Sequence, residues 1–155
     1  MSASNNYKRF NIELEHIFDY YKKQNISNPE VNVKYKEKSI AVLLPNNIKM
    51  ILGQHYPFHP PQVFVNEMNY IRFLHSPSSR ISLCLKQNNI HCLCCSTIIC
   101  DNNWSCSFTI IKILNEMDNT RKMKQRIKYE ICLDEIIEKT GIPEIMKKEI
   151  IRYIE

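Results

Sequence analysis

The sequence is short of glycine. Among its 155 residues, Gly53 and Gly141 are the two glycines. The phosphate-cradling motifs G-x-G-x-x-G and G-x-x-x-x-G-K-[ST] need several glycines at fixed spacings, because the backbone must approach the phosphates closely. Neither motif can be formed from two isolated glycines. The sequence therefore excludes the glycine-dependent routes to nucleotide binding.

Long apolar runs are also missing. A membrane-spanning helix needs roughly 18 or more consecutive apolar residues, and no stretch of this chain approaches that length without a charge. The first residues, Met-Ser-Ala-Ser-Asn-Asn, lack the basic region and following apolar region of a secretory signal. We therefore expect a soluble, intracellular protein located in the cytoplasm, with no membrane partner.

The charge of the chain is nearly balanced. It has 21 Lys and Arg against 16 Asp and Glu, which gives a net charge of +5. This surplus is too small and too dispersed to indicate a nucleic-acid partner. The length and the ordinary hydrophobic content favour one globular domain over residues 1–155. We place its core at 7–117 and a C-terminal helical extension at 118–155.

Cysteine, in contrast, is abundant. The chain has seven cysteines, and six of them lie between Cys84 and Cys106. In the reducing compartment that we expect, such cysteines act as small buried side chains, as metal ligands or as reactive thiols, and not as a disulfide framework. The segment between Cys84 and Cys106 is therefore the first place to look for a functional site.

Hydrophobic periodicity predicts a helix followed by a sheet. Apolar residues recur at helical spacing over residues 7–21, residues 31–35 alternate apolar and polar side chains as strands do, and residues 40–44 form a short apolar run bounded by turn residues. Prolines and asparagines separate the strands and indicate turns. The predicted helical stripe is Phe10, Leu14, Ile17, Phe18 and Tyr21, ended by Pro29, and the predicted strands are 31–35, 40–44, 48–53 and 63–65.

The second half of the chain is predicted to be a long irregular segment followed by helices. Residues 66–103 show no clean period. After Trp104 a helical pattern begins, for which Ser105 or Ser107 is the expected cap. A break is predicted at 118–120, and Gly141-Ile-Pro143 is expected to separate the last helix. Helices and strands grouped in this way predict an α+β fold with an antiparallel meander of three to four strands.

Two local motifs carry a family resemblance. The first is Tyr56-Pro-Phe-His-Pro-Pro61, directly after the third predicted strand. The second is Asn103-Trp-Ser-Cys-Ser-Phe-Thr-Ile-Ile-Lys-Ile-Leu114 at the start of a helix. Both resemble motifs of the ubiquitin-conjugating enzyme (UBC) family, in this order, and the resemblance covers residues 7–117. The cysteine-rich run before Trp104 is similar to divergent UBC-like proteins of large DNA viruses.

The resemblance implies a nucleophilic cysteine between the two motifs. The family pattern has an H-P-N tripeptide and a cysteine about eight residues before the tryptophan, whereas this chain has His75-Ser-Pro77 and Ser96. Two cysteines keep the Cys-Leu pair of the family pattern. Cys92 lies 12 residues before Trp104, and Cys84 lies 20 residues before it. We prefer Cys92, because it stands in the dense cysteine run.

By this resemblance, the chain is expected to carry ubiquitin or a ubiquitin-like modifier as a thioester and to transfer it to a lysine. Its partners would be the modifier, an activating enzyme and a ligase. His91 stands beside Cys92 and, when protonated, favours its thiolate. Any of Asn88, Asn89, Asn102 and Asn103 could brace the site or stabilise an oxyanion, and we select Asn103 as the site residue. Asp101 is a candidate to orient the incoming amine.

Two other functions fit the same sequence. UBC-like and RWD domains without a nucleophile share the fold and bind partners, so a catalytically inactive binding module is one alternative. The other is a small zinc-binding adaptor, since Cys92-x-x-Cys95 has the spacing of a zinc knuckle. The conjugating-enzyme function requires no cofactor, and zinc belongs to this alternative alone. Its predicted ligands are Cys92 and Cys95, completed by Cys100 and Cys106 or by His91.

Overall fold

The chain folds as α+β, as the sequence predicts. The structure is a computed structural model that describes residues 3–26, 29–36, 38–75, 78–87, 89–90 and 92–154. An N-terminal helix precedes an antiparallel sheet, and helices follow it. The helices are α1 (Ala3–Lys23), α2 (Tyr70–His75), α3 (Ser79–Gln87), α4 (Leu93–Ser96), α5 (Ile110–Thr140) and α6 (Glu144–Ile154).

The sheet is a simple antiparallel meander. Its five strands follow one another in space in the same order as in the chain, and each pairs with the next. The four predicted strands are confirmed to within one residue, and a short fifth strand is added. The strands are β1 (Asn32–Lys36), β2 (Ser39–Leu44), β3 (Ile48–Gly53), β4 (Gln62–Val65) and β5 (Met68–Asn69).

Asparagines occupy turn positions with a positive φ, where glycine is the more usual residue. A positive φ costs L-residues free energy, and asparagine tolerates it best after glycine. Asn46 and Asn47 have φ of 61° and 56° between β2 and β3, and Asn66 has 47° between β4 and β5. Asn25, with φ of 62°, ends α1, where the Ile26 N–H donates to the Tyr21 carbonyl. The helix thus ends at this asparagine, before Pro29 is reached.

The buried face of α1 differs from the predicted stripe in one position. Phe10, Ile17 and Tyr21 are buried as expected, but Phe18 is 43% exposed. Glu13, at 3% exposure, takes a place on the buried face instead. A hydrophobicity pattern cannot predict this, because the carboxylate is accepted there only by polar partners from distant segments.

The segment 66–103 is more regular than predicted. It contains β5 and the helices α2, α3 and α4. Asn69 starts α2, since its side-chain oxygen accepts hydrogen bonds from the backbone N–H groups of Ile71 (3.0 Å) and Arg72 (3.3 Å). These helices are only 4 to 9 residues long, too short to produce a readable period.

The predicted helix break at 118–120 is wrong. The helix α5 runs without interruption over 31 residues. Asp118 lies inside it and pairs with Arg121 one turn later, at 3.1 Å. The cap also differs from expectation, because the Thr109 hydroxyl accepts the Lys112 N–H at 3.3 Å. Gly141 does end α5, with φ of +67°, as predicted.

The chain divides into two compact units. The first comprises Met1–Ser76 with Cys92–Glu116, and the second comprises Pro77–His91 with Met117–Glu155. Within the second unit, Arg80 pairs with Glu135, and Lys147 pairs with Asp134 at 2.5 Å. Within the described ranges, none of the helices combines the length and apolar character needed to cross a membrane. The core of the first unit includes Phe10, Ile17, Val42, Met50, Leu52, Val63, Tyr56, Ile110 and Ile113.

Candidate functional site

The two motifs that are far apart in sequence meet in the first unit. The indole Nε1–H of Trp104 donates a hydrogen bond of 2.7 Å to the backbone carbonyl of Pro57. The rings of Trp104 and Tyr56 lie 6.2 Å apart, and Phe108 packs edge-on against the indole at 5.7 Å. The tryptophan therefore joins residues 56–61, which we call the proline-rich turn, to the segment that leads into α5.

A buried carboxylate completes this junction. Both oxygens of Glu13 accept hydrogen bonds from the Tyr56 hydroxyl, at 2.7 and 2.9 Å, and the Ile110 N–H donates to it at 2.8 Å. Burial and the charge of Glu13 raise the pKa of Tyr56 above its usual range. Tyr56 thus stays a neutral donor, and Glu13 links α1, the proline-rich turn and the first residue of α5.

Arg9 supports the same junction from the next turn of α1. Its Nε donates to Glu13 at 2.8 Å, and its two terminal nitrogens donate to the carbonyls of Cys106 and Phe108, each at 2.6 Å. These carbonyls immediately precede α5. Sequence reasoning missed both residues; the available signal was a charged residue, Glu13, three positions after the buried Phe10.

Four potential ligand and nucleophile side chains converge at the contact between α2 and α4. We call them the thiol cluster: His75, Cys92, Cys94 and Cys95. Cys92 Sγ lies 2.7 Å from Cys94 Sγ, which in turn lies 3.3 Å from His75 Nδ1 and 3.8 Å from Cys95 Sγ. Cys94 is buried and Cys92 half-buried, whereas His75 and Cys95 are exposed. The cluster is thus anchored in the protein and open to solvent on one side.

The thiols of Cys92 and Cys94 shift each other's pKa values in opposite directions. The pKa of Cys92 is lowered to about 7, because Cys94 donates a hydrogen bond to its thiolate and the backbone N–H of Cys95 also faces it. The same hydrogen bond, together with burial, raises the pKa of Cys94 to about 12. The pair therefore loses one proton readily and holds the second firmly.

Asn103 braces the backbone next to these thiols. Its side-chain NH2 donates to the carbonyl of Cys95 at 2.6 Å and to that of Thr97 at 3.0 Å. Thr97 is itself buried, at 1% exposure. The amide thus holds the end of α4 in place. Of the asparagines in this stretch, Asn103 was the predicted site residue, and the structure places it one backbone contact away from the cluster.

Asp101 lines a surface groove. This groove has a volume of about 480 Å³, and its walls come from the end of the proline-rich turn, from β4 and from the loop before Trp104. Asp101, Asn102 and Cys100 line one side, and His59 and Val63 line another. Asp101 is exposed there, so its carboxylate can receive a cationic group from solvent.

The other predicted residues lie elsewhere. Cys84 is half-buried on α3, in the second unit. Cys106 is exposed, and its backbone carbonyl is held by Arg9. His91 lies outside the described residues. The predictions for Cys84 and His91 as catalytic groups therefore remain predictions.

The structure groups metal-ligating atoms differently from the sequence prediction. Among the described residues, His75, Cys92 and Cys94 offer ligand atoms within 4.8 Å of one another, and Cys95, Cys100 and Cys106 do not belong to that group. Two members, His75 and Cys94, were not in the predicted zinc set. A single histidine 19 residues before a cysteine gives no recognisable spacing, so only the packing of α2 on α4 could reveal the pair.

The arrangement can support nucleophilic chemistry by a thiolate or coordination of a soft metal ion. Compared with protein-family models, with curated proteins and with solved structures, the chain shows no match.

Proposed function

We propose that this protein is a divergent ubiquitin-conjugating enzyme that carries ubiquitin, or a ubiquitin-like modifier, as a thioester on Cys92. The reaction is transfer of an acyl group from an activating enzyme to a cysteine and then to a lysine. The observation that carries the proposal is the Asn103 amide, which braces the backbone carbonyls of Cys95 and Thr97 at the end of the short helix that follows Cys92. In the UBC family, an asparagine amide near the nucleophile has this bracing role.

The fold is consistent with this proposal. An N-terminal helix, an antiparallel meander and later helices occur in the order that the UBC resemblance implies. The two motifs that carry the resemblance are in direct contact through the hydrogen bond from Trp104 to Pro57. A contact between these two segments gives both motifs a shared structural role.

The chemistry balances without a cofactor. The Cys92 thiolate attacks the carbonyl carbon of the modifier's thioester on the activating enzyme. A new C–S bond forms at Cys92, the old C–S bond breaks, and the activating enzyme leaves as a thiolate. A lysine amine then attacks the Cys92 thioester, so that a C–N bond forms and the Cys92 thiolate departs. The proton of the amine goes to solvent or to the Asp101 carboxylate.

A thioester assay tests the proposal directly. Protein treated with a zinc-selective chelator is incubated with ubiquitin, activating enzyme and Mg-ATP, and the products are separated with and without reductant. We expect an adduct that depends on ATP and disappears with reductant. We expect it to persist in Cys84→Ser and in Cys132→Ser, the matched controls on the second unit, and to be lost as a thioester in Cys92→Ser.

Two results would contradict this assignment. If the wild-type protein forms no adduct with ubiquitin or with ubiquitin-like modifiers and their activating enzymes, the enzymatic function is wrong. If the adduct is lost in Cys84→Ser and persists in Cys92→Ser, the enzyme class stands but the nucleophile is Cys84.

One observation favours an inactive binding module as the second candidate. Ser96 occupies the position eight residues before Trp104 where the family pattern has its cysteine. Its hydroxyl donates to the carbonyl of Leu93 at 3.2 Å and so completes the last turn of α4. A module of this kind would bind ubiquitin without an adduct. Titration of labelled ubiquitin, followed by NMR, would show shifts that Cys92→Ser leaves unchanged.

A further inference from the structure

The thiol cluster has the composition of a metal site. Three sulfurs and one imidazole nitrogen form a Cys3His set, one of the common ligand sets of structural zinc. Its members come from two elements that pack on each other, His75 at the end of α2 and the cysteines in and just before α4. Each helix therefore supports part of the set, and the contact between them holds the set together.

The distances from Cys94 to the other three members are near the edge lengths of a zinc tetrahedron, and the exposed Cys95, which lies outside the group whose ligand atoms are within 4.8 Å of one another, must turn its side chain to complete the set. Zn–S bonds of about 2.3 Å and Zn–N bonds of about 2.0–2.1 Å place two sulfurs about 3.8 Å apart and a sulfur and a nitrogen about 3.6 Å apart. The Cys94–Cys95 distance is 3.8 Å, and the His75–Cys94 distance is 3.3 Å. The Cys92–Cys94 pair, at 2.7 Å, must open by about 1 Å to reach the same edge length.

The surroundings of the cluster favour a state with a bound metal ion over a state in which three neighbouring thiols have no ion. Cys94 is buried, and its neighbours Leu74 and Leu93 are buried as well. Asn103 fixes the Cys95 carbonyl, so the backbone that carries two of the ligands is already ordered. Backbone that is ordered beforehand lowers the entropic cost of binding an ion. Cys92 and Cys95 also have the C-x-x-C spacing typical of zinc ligands.

We propose that His75, Cys92, Cys94 and Cys95 bind one Zn²⁺ ion. The cysteines bind as thiolates, so binding releases their thiol protons to solvent, and His75 binds as neutral imidazole through Nδ1. The ion links α2 to α4. It requires no oxidant or reductant, since zinc does not change its oxidation state.

The ion has a consequence for the thioester reaction, and this consequence alone rests on the proposed function. A Cys92 thiolate that coordinates zinc donates electron density to the ion and is therefore a weaker nucleophile toward a carbonyl. The zinc-bound protein is the less reactive form, and removal of the ion frees the nucleophile. Zinc binding itself is measured without ubiquitin, so the failure of either proposal can be recognised separately.

Zinc binding is tested with the metal alone. The full chain, purified under reducing conditions and freed of metal, is titrated with ZnCl₂ against a competing chelator, and the stoichiometry is read by native mass spectrometry. Co²⁺ is used as a spectroscopic probe, because thiolate–Co²⁺ bonds give an intense charge-transfer band. We expect one ion per chain, proton release on binding, and a charge-transfer band of a thiolate-rich tetrahedral site.

Variants identify the ligands. His75→Ala and Cys95→Ser change exposed side chains, so the fold is not at risk, and each is expected to weaken binding by more than the about 10–100-fold that loss of a second-shell partner causes. Cys94→Ser is expected to abolish binding but changes a buried residue. The double variant Cys100→Ser/Cys106→Ser removes the other two cysteines of the zinc set predicted from the sequence and is expected to bind zinc like wild type.

Several outcomes would overturn the proposal. Absence of stoichiometric zinc in the reduced wild-type chain would do so, as would wild-type affinity in both His75→Ala and Cys95→Ser. Loss of zinc in Cys100→Ser/Cys106→Ser would move the site to the set predicted from the sequence. If the reduced chain loses the mass of two hydrogen atoms soon after purification, and a Cys92–Cys94 disulfide accounts for the loss, the cluster is a disulfide pair and not a zinc site.

Discussion

Two regions of the first unit use polar groups in opposite ways. Around Glu13, the buried carboxylate accepts hydrogen bonds from Tyr56, Arg9 and the Ile110 N–H. In the thiol cluster, two sulfurs and an imidazole lie within hydrogen-bonding distance of the third sulfur, and His75 and Cys95 reach the surface. The first region is complete without a ligand and serves stability. The second gathers side chains that can ligate a metal ion or act as nucleophiles.

This contrast predicts that the two regions respond differently to substitution. Changes around Glu13 should lower the free energy of unfolding strongly, because they leave buried polar groups without partners. Changes in the thiol cluster should remove chemistry and leave stability nearly unchanged when metal is absent. Four substitutions test this contrast, from the largest expected effect to the smallest.

Glu13→Ala should destabilise the protein most. It removes the acceptor of three hydrogen bonds and leaves Tyr56 and the Ile110 N–H buried without it, which should lower the free energy of unfolding by about 3–5 kcal/mol. Urea denaturation followed by circular dichroism measures this. Glu15→Ala, on the exposed side of the same helix, is the control and should change the value by less than about 0.5 kcal/mol. Similar small values for both variants would contradict the structural role of Glu13.

Tyr56→Phe should have a smaller effect. It keeps the ring that packs against Trp104 and removes only the hydroxyl that donates to Glu13. Hydrogen bonds to charged groups contribute about 1.5–3 kcal/mol, so we expect a loss of this size. Tyr35→Phe, at a 54% exposed tyrosine, is the matched control. A loss no greater than that of the control would show that Glu13 does not depend on this donor.

Asn103→Ala should affect both stability and chemistry. Two hydrogen bonds to backbone carbonyls are lost, and we expect about 1–2 kcal/mol of destabilisation. In the thioester assay, the loading rate of Cys92 should fall by up to about 100-fold, because the backbone beside the nucleophile is no longer held in position. Asn102→Ala, one residue earlier on the groove, is the control. Equal rates for both variants would leave Asn103 with a purely structural role.

Cys92→Ser should change stability least. Cys92 is half-buried, and serine has nearly its size, so metal-free protein should unfold within about 1 kcal/mol of wild type. The same variant should lose the thioester and bind zinc much more weakly. Parallel measurements of unfolding and of zinc affinity on one preparation test both expectations. A large loss of stability without metal would place Cys92 in the core and not in a functional site.

Local sequence pattern was sufficient for the first part of the fold. The apolar run in 40–44 and the turn at Pro45-Asn-Asn47 predicted β2 and β3, because both signals depend on residues close in the chain. Gly141 predicted the end of α5 for the same reason. The break at 118–120 was predicted wrongly, since short polar residues such as Asp118 also occur inside helices when they pair with a neighbouring turn.

Prediction of the candidate site was incomplete for a different reason. Cys92, Asn103 and Asp101 were identified from their place in a motif-bearing segment. The sequence marks His75 only by a partial match to the family's H-P-N tripeptide, and it indicates no role for Cys94 or Glu13. Their partners lie 19 residues away for His75 and up to 97 residues away for Glu13. No periodic pattern can specify contacts at such separations.

The sequence by itself determined that the protein has an α+β fold with an antiparallel meander, that it lacks glycine-based phosphate-binding motifs, and that six of its seven cysteines lie between Cys84 and Cys106. The tertiary structure decided which of those side chains meet. It places Cys92 and Cys94 beside His75 because α4 packs on α2. It keeps Cys84 in the other unit. Composition and spacing constrain local conformation, whereas a site is defined by packing between segments that are distant in the chain.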